Sequence, residues 1–350
     1  MTSPPFALKP KLTGPKQQHY LPECYLKGFE SNGGVAVFDR RTGDIRRQST
    51  HGTAKVSHLY TFEDAEGRRR FDLEHLFAEI ESGFAAAVTK LDANTKVIVT
   101  DLEYLVIFIA FAELRTPGAI EDAKNVRAGF VRTVGHAATG TPEKAFATLK
   151  RMYRDKGEPV AEPELRRKAD DLARFVRAGE YDIIVDEKAA LMESIRLWEP
   201  LAKALWKKDI RIVRAEAGSQ YITCDSPVIL ETLSGGDVGF GSPDAHILFP
   251  LTSRCVIALS GDQQRFGLGT ATASQVAKTN AVIAQNAFRY IIGPDDQEIG
   301  ALTGNLRLAG TQRAPRYETG MLELPDGSIG YVKRLVSRGH GAKRGNSGRR

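Results

Sequence analysis

The chain has 350 residues, 42% hydrophobic and 26% charged, a balance that excludes disordered, collagen-like and disulfide-stapled classes and allows one large or two modest domains. Its formal charge of +6 suggests a nucleic-acid binder only until it is located. Seven basic residues (Lys333, Arg334, Arg338, Lys343, Arg344, Arg349, Arg350) and no acid fall at the C-terminal end, so everything before them is one charge short of neutral.

That tail, residues 336–350, has only Ala342 as an apolar side chain from Gly339 onward. It cannot bury enough surface to order itself, and it either solubilises the chain or finds phosphate. Cys24, Cys224 and Cys255 are odd in number and widely spaced, which fits a reducing compartment. Residues 1–17 read as a flexible leader with prolines and lysines where a secretory signal needs an apolar core. The longest apolar run, residues 104–112, is bounded by Glu103 and Glu113 and is too short for a bilayer. A soluble, cytoplasmic protein with no membrane partner is expected.

In chain order, residues 35–38 and 45–48 predict a hairpin around Arg41-Thr42-Gly43-Asp44. Leu73, Leu76, Phe77, Ile80, Phe84, Val88 and Leu91 recur at helical steps, with Asp72 placed to cap the helix start. Thr100-Asp101-Leu102-Glu103 has the capping-box pattern and opens a helix that is apolar almost all round, hence a central core helix, ending at Thr116-Pro117-Gly118. Helical patterning continues through residues 119–208 with breaks at 139–142 and 156–159, and Pro200 should kink or end a helix over 191–205. Trp198 and Trp206 then share a face if that helix is unbroken, for core packing or a groove.

Strands follow at 210–215, 220–224, 228–231, 246–251 and 255–259, then a helix at 272–287, a strand at 288–292 and a hairpin over 321–335 around Pro325-Asp326-Gly327. This order predicts an α+β fold: a mostly antiparallel sheet with a large helical block inserted between the N-terminal hairpin and the C-terminal strands. Residues 18–335 then form one domain, with a helical lobe over about 72–208 and a β-rich part from about 18–60 and 209–335.

Several chemistries lose their sequence support. There is no Gly-x-Gly-x-x-Gly after a strand, no Gly-x-x-x-x-Gly-Lys-Ser/Thr, no His-Glu-x-x-His and no Gly-x-Ser-x-Gly. Nor does a strand carry the Glu-x-Lys of a restriction-type nuclease core. His75 and Glu79, four apart on a helix, have metal-ligand spacing but lie between Glu74 and Glu81 on what reads as a solvated face.

What remains is an ordered set: His19-Tyr20-Leu21-Pro22, Phe29, Arg115-Thr116-Pro117, Thr223-Cys224-Asp225-Ser226-Pro227, Phe249-Pro250-Leu251-Thr252 and Asn280. The set resembles the bacterial family DUF4238 from about His19 to Ile292. The resemblance implies a family but carries no activity.

Each residue has a bland and a functional reading. His19 either fixes the chain entry through a backbone hydrogen bond or exchanges a proton near neutral pH. Asp225 either organises an Asp-Ser-Pro turn or presents a carboxylate at a strand end. Arg115 either terminates a helix or clamps a phosphate or carboxylate. Asn280, in a helix, either bridges helix to sheet or touches a ligand.

The functional readings combine into a cytoplasmic hydrolase acting on a phosphodiester or nucleotide, a nuclease among the options. His19 is general acid or base, Asp225 orients water or a divalent ion (Mg²⁺ or Mn²⁺), Arg115 neutralises developing charge, and Asn280 with Tyr20 positions substrate. The alternative is a non-catalytic protein that binds nucleic acid or another ligand, one setting being a bacterial defence or mobile-element cassette.

Overall fold

The computed structural model describes residues 10–179, 181–232, 238–305, 316–323 and 329–337. The N-terminal third runs β1 (Gln17–His19), α1 (Glu23–Leu26), β2 (Val35–Asp39), β3 (Ile45–Gln48), β4 (Lys55–Ser57), β5 (Phe62–Glu63), β6 (Arg69–Arg70), α2 (Asp72–Asp92) and α3 (Val99–Leu114). The helical middle continues with α4 (Pro117–Thr139), α5 (Pro142–Lys156), α6 (Glu162–Ala178), α7 (Glu187–Ile195) and α8 (Trp198–Trp206). After it come β7 (Asp209–Ala215), β8 (Thr223–Cys224), β9 (Ile229–Thr232), β10 (Ala245–Thr252), β11 (Cys255–Ser260), β12 (Phe266–Ala271), α9 (Ala273–Asn286), β13 (Tyr290–Gly293), α10 (Asp296–Asn305), β14 (Arg316–Glu323) and β15 (Ile329–Ser337). The fold is α+β, with the helical block between the N-terminal hairpin and the C-terminal strands.

The chain divides into two units. One comprises residues 122–190 with 315–338, and the other takes in the rest. In the smaller unit α5 and α6 pack through Ala145, Ala169 and Ala173, small enough to bring the backbones close, with Phe146, Leu149 and Leu172 around them. Arg166 reaches back from α6 over the Phe146 ring at 4.6 Å. Both helices end at left-handed glycines, Gly157 and Gly179, the conformation a helix stop favours. β14 and β15 form the expected antiparallel hairpin, whose turn lies outside the described residues.

In the larger unit, one sheet has strand order β12-β7-β11-β10-β9 and another has β3-β2-β13-β8. The N-terminal hairpin therefore joins C-terminal strands: β13 pairs antiparallel with β2 and with β8. All ladders of the five-stranded sheet are antiparallel except β12 with β7, which run parallel. Ile222, Cys224, Ile229, Ile283, Ala284, Ile291 and Ile299 fill the core between the strands and helices α9 and α10.

A second core forms where α2 and α3 meet α1 and β10. Phe84 and Phe108 stack at 3.7 Å between centroids, with Tyr25 and Phe249 packed around them. Gly83 makes this approach possible, since a Cβ there would fall 2.2 Å from the Tyr104 ring. As its all-round apolarity predicts, α3 buries Leu105, Val106, Phe108, Ile109, Phe111 and Leu114.

Local details depart from the sequence expectations. Asp72 does not cap α2; it is the first helical residue, and Arg70 takes its carboxylate through two bonds of 2.8 Å. α3 starts at Val99, so Thr100 is inside it, and Asp101 rather than Glu103 reaches back to the N-cap, accepting from the Ile98 N–H at 2.9 Å in a one-sided cap. The helix predicted over 191–205 ends at Ile195, and Pro200 sits in the first turn of α8, where its missing N–H costs no helical bond. Trp198 and Trp206 then bracket one short helix, with Trp198 stacked on Phe111.

The predicted strand over 220–224 contracts to β8. β12 has no counterpart among the predicted elements because Gly267 and Gly269 blank out its alternation, and the Asp296–Asn305 helix was likewise not expected. No described helix is long and apolar enough to cross a membrane.

The aromatic core yields a direct test. Phe108→Ala should lower stability by about 3–5 kcal/mol in chemical denaturation, because Phe84, Tyr25 and Phe249 cannot all collapse into the space.

Candidate functional site

His19 ends β1 opposite Lys55 of β4. Its Nε2 lies 3.1 Å from the His51 carbonyl oxygen, and since a carbonyl only accepts, that nitrogen carries the proton and Nδ1 keeps a lone pair. Burial lowers the imidazole below its ordinary pKa, and Lys55 and His51 push the same way against the His51 carbonyl and Glu23. The His51 ring meets His19 edge-on at 5.9 Å, and its Nδ1 is 3.0 Å from Glu23 Oε2. Glu23 also pairs with Lys27 at 3.1 Å, and these contacts, His51 foremost, hold its carboxyl below the usual range. The result is an accessible row of carboxylate, imidazole, peptide and imidazole.

Behind it stands Arg115, the residue that closes α3. Its side chain is 1% exposed and lies over the rings of Phe77 (4.9 Å) and Phe108 (5.7 Å). Nη1 donates to Glu81 Oε1 of α2 at 2.9 Å, while Nε has no hydrogen-bond partner among the described residues. Burial works against the guanidinium charge, but Glu81 and Tyr60 outweigh it and hold the pKa above its ordinary value. Such a group is an internal countercharge rather than a surface clamp.

Glu74 is on the same face of α2 as Glu81, two turns away. Burial first, and the Glu81 carboxylate second, push the Glu74 carboxyl up to about 7, with Arg115 opposing. Glu74 and Glu81, expected on a solvated face, are instead both partly buried. The Tyr60 hydroxyl connects the two groups of residues, lying 3.3 Å from the His19 carbonyl oxygen and 3.5 Å from that of Arg115. Cys24 also abuts both; burial and Glu81 raise its thiol to about 12, so it stays protonated.

Asp225 is placed differently. It follows β8, is 2% exposed, and both carboxylate oxygens accept backbone N–H groups at 2.8 Å, from Phe288 and Arg289 just ahead of β13. The Arg289 side chain forks onto Asp39 at the end of β2, with bonds of 2.7 to 3.1 Å. Tyr20 is buried beside this knot; burial raises its hydroxyl well above the usual tyrosine value, and Asp225 and Tyr290 add to the rise. Tyr20 follows His19 directly, so the chain runs from the end of β1 straight into this buried region.

Asn280 of α9 donates to the Gln220 carbonyl at 2.8 Å and accepts from the Ile222 N–H at 3.1 Å, bridging helix to the approach of β8. The structure thus links the main-chain carbonyls of His19 and Arg115 through Tyr60, buries Tyr20 beside Asp225, and gives Asn280 to backbone.

Among the described residues no group of three or more His, Cys, Asp or Glu side chains is arranged to hold a metal ion. The residues do not fit the divalent ion expected at Asp225, whose oxygens accept the Phe288 and Arg289 amides. Sequence reasoning missed Tyr60, Glu23 and the Glu74/Glu81 pair. The only signal for the pair was its seven-residue spacing, which places both carboxylates on one helical face but says nothing about the arginine across from it.

Asp225→Ala should cost roughly 2–5 kcal/mol in denaturant unfolding, because two buried amides lose their acceptor. Asp225→Asn, which keeps one acceptor, should cost less.

No curated protein and no solved structure matches the chain. The family model described as "Protein of unknown function (DUF4238)" matches residues 17–297, a span that holds His19, Tyr20, Arg115, Asp225 and Asn280 together with Tyr60, Glu74 and Glu81. The chain belongs to the DUF4238 family.

Proposed function

We propose that the chain is a hydrolase acting on a phosphodiester or nucleotide, with proton transfer divided between His19 and Glu74. One observation supports this above the others: two titratable groups flanking Tyr60 are driven toward complementary forms. His19 is biased to neutral imidazole and Glu74 to neutral carboxylic acid, so near pH 7 a base and an acid are both available, His19 tied to Tyr60 through its main-chain carbonyl and Glu74 through its field on the Tyr60 hydroxyl.

In the reaction, His19 takes a proton from the attacking water at Nδ1, the nitrogen left free by the His51 carbonyl. Water oxygen bonds to phosphorus, the ester oxygen leaves, and Glu74 supplies the proton that leaving oxygen needs. Lys55 gives the site positive charge suited to an anionic substrate. Arg115 acts through Glu81, holding it in place, and so is a positioning residue. Asp225, Tyr20 and Asn280 position the strands behind the site.

A second reading, a non-catalytic binding protein, draws on the saturation of Asp225 and Asn280 by backbone partners. Both readings face the same assay: the full chain against single- and double-stranded DNA, RNA and simple nucleotides. Under the hydrolase reading, His19→Ala and Glu74→Gln each lower turnover by about 10²- to 10⁴-fold while substrate binding persists. Turnover that survives both substitutions overturns the assigned roles. Salt-sensitive binding without turnover, lost on deleting residues 333–350, supports the binding protein.

Glu74 also makes stability depend on pH in a defined sense. Its folded pKa, about 7, lies above the ordinary carboxyl value, so the folded chain holds this proton more tightly than the unfolded chain. The stabilisation is full below the ordinary value of 4.5 and is lost as pH rises through about 7. Glu74→Gln should remove that fall, so the variant gains on wild type in thermal melts as pH rises from 5 to 8.

A further inference from the structure

Residues 39–47, the end of β2 with its turn and the start of β3, carry four arginines against two aspartates. Two of the four serve the fold. Arg40 donates to the Ala287 carbonyl, and Arg47 donates to the carbonyls of Gly34 (3.1 Å) and Pro294 (3.0 Å) and pairs with Asp296 at 3.1 Å. Arg41 and Arg46 are exposed, and neither guanidinium has a hydrogen-bond or ion-pair partner among the described residues. Asp39 does not serve them, because its carboxylate accepts from the Arg289 side chain and from the Arg41 main-chain N–H.

Arg46 pairs with Val37 and Tyr290 with Asp39, so the Arg46 and Tyr290 side chains stand on one face of the sheet. The Arg46 guanidinium lies over the Tyr290 ring at 6.0 Å, with that of Arg289 at 4.6 Å. Such a contact limits the swing of a long side chain and leaves N–H donors at the guanidinium edge for an oxyanion. β3 then leads into the turn Thr50–Gly52, which Ser49 caps by accepting the Gly52 N–H at 3.1 Å. Arg46 comes five residues before His51, so their Cα atoms are at most about 18 Å apart, and the His51 carbonyl is the group that fixes His19. Lys55, opposite His19 in the β1–β4 ladder, likewise has no partner for its ammonium among the described residues.

We propose that this hairpin is the track of a single-stranded polynucleotide, an inference that rests on the hydrolase reading above and names its substrate class. The phosphate under attack sits at His19 with Lys55 beside it, and Arg46 and Arg41 take phosphates further along the strand. Cations at successive points of one path suit a polyanion, whereas a mononucleotide presents its charge at one point. Because Arg41, Arg46 and Lys55 break no protein ion pair on binding, each gives up only water and releases counterions from the strand. Contacts of this kind set affinity and position without reading base sequence.

The test is fluorescence anisotropy with labelled single-stranded DNA and RNA of about 12 nucleotides, on the full chain carrying His19→Ala so that the strand stays intact, over a salt series. Arg46→Gln and Arg41→Gln, checked for fold by circular dichroism, should each weaken binding alike for all sequences and each flatten the slope of log K against log salt by about 0.7. Arg167→Gln, which removes an exposed cation of α6 in the smaller unit, should change neither. Binding and slope unchanged in both hairpin variants, tighter binding of duplex than of single strands, or turnover of mononucleotides by a chain that binds no strand would each overturn the track. Binding with the expected slopes but no turnover by the chain with His19 intact would uphold the track and remove the proton-transfer roles instead.

Discussion

A cation buried at the end of an apolar helix organises much of the larger unit. Arg115 could not sit at 1% exposure without a countercharge, because desolvating a lone guanidinium costs several kcal/mol or more. Glu81 supplies that charge from α2, and Phe77 and Phe108 supply ring faces. The pairing fixes α2 against the end of α3. It also puts Glu74, on the same helix face, beside a carboxylate it must repel, which adds to the rise that burial already imposes on its pKa. A structural requirement in the core thus creates an unusual acid nearer the surface.

The second organising element is a set of polar ties across long sequence separations. Asp39 and Arg289 are 250 residues apart, and Asp225 meets the Phe288 and Arg289 amides from more than 60 residues away. These bonds hold β2, β13 and β8 in register where the N-terminal hairpin joins C-terminal strands. Tyr25 adds another, its hydroxyl 2.6 Å from Thr223 Oγ1 in the core. Burying such groups is tolerable because each is satisfied, and removing one partner would strand the other.

The proposed site and the architecture share residues in this arrangement. Tyr20 follows His19 directly in the chain, so the strand that presents the imidazole is anchored one residue later beside the Asp225 knot. Tyr60 spans the carbonyls of His19 and Arg115. The groups proposed to transfer protons are therefore carried on segments pinned by buried bonds, which is what a site needs if its distances are to stay fixed during a reaction.

The sequence by itself determined the α+β order, the all-round burial of α3, the helix breaks at Pro117 and Pro142, and the family, because periodicity and proline act locally and motif order is linear. It also singled out His19, Arg115, Asp225 and Asn280 as unusual. Only the tertiary structure decided what surrounds them: Arg115 faces Glu81, Asp225 faces amides, and Glu74 shares a field with both Glu81 and Arg115. β12 stayed hidden for a related reason, since its glycines carry no pattern and a parallel neighbour more than 50 residues away defines the strand. A side chain's charge state and a strand's pairing depend on neighbours brought together by folding, and linear spacing does not encode those distances.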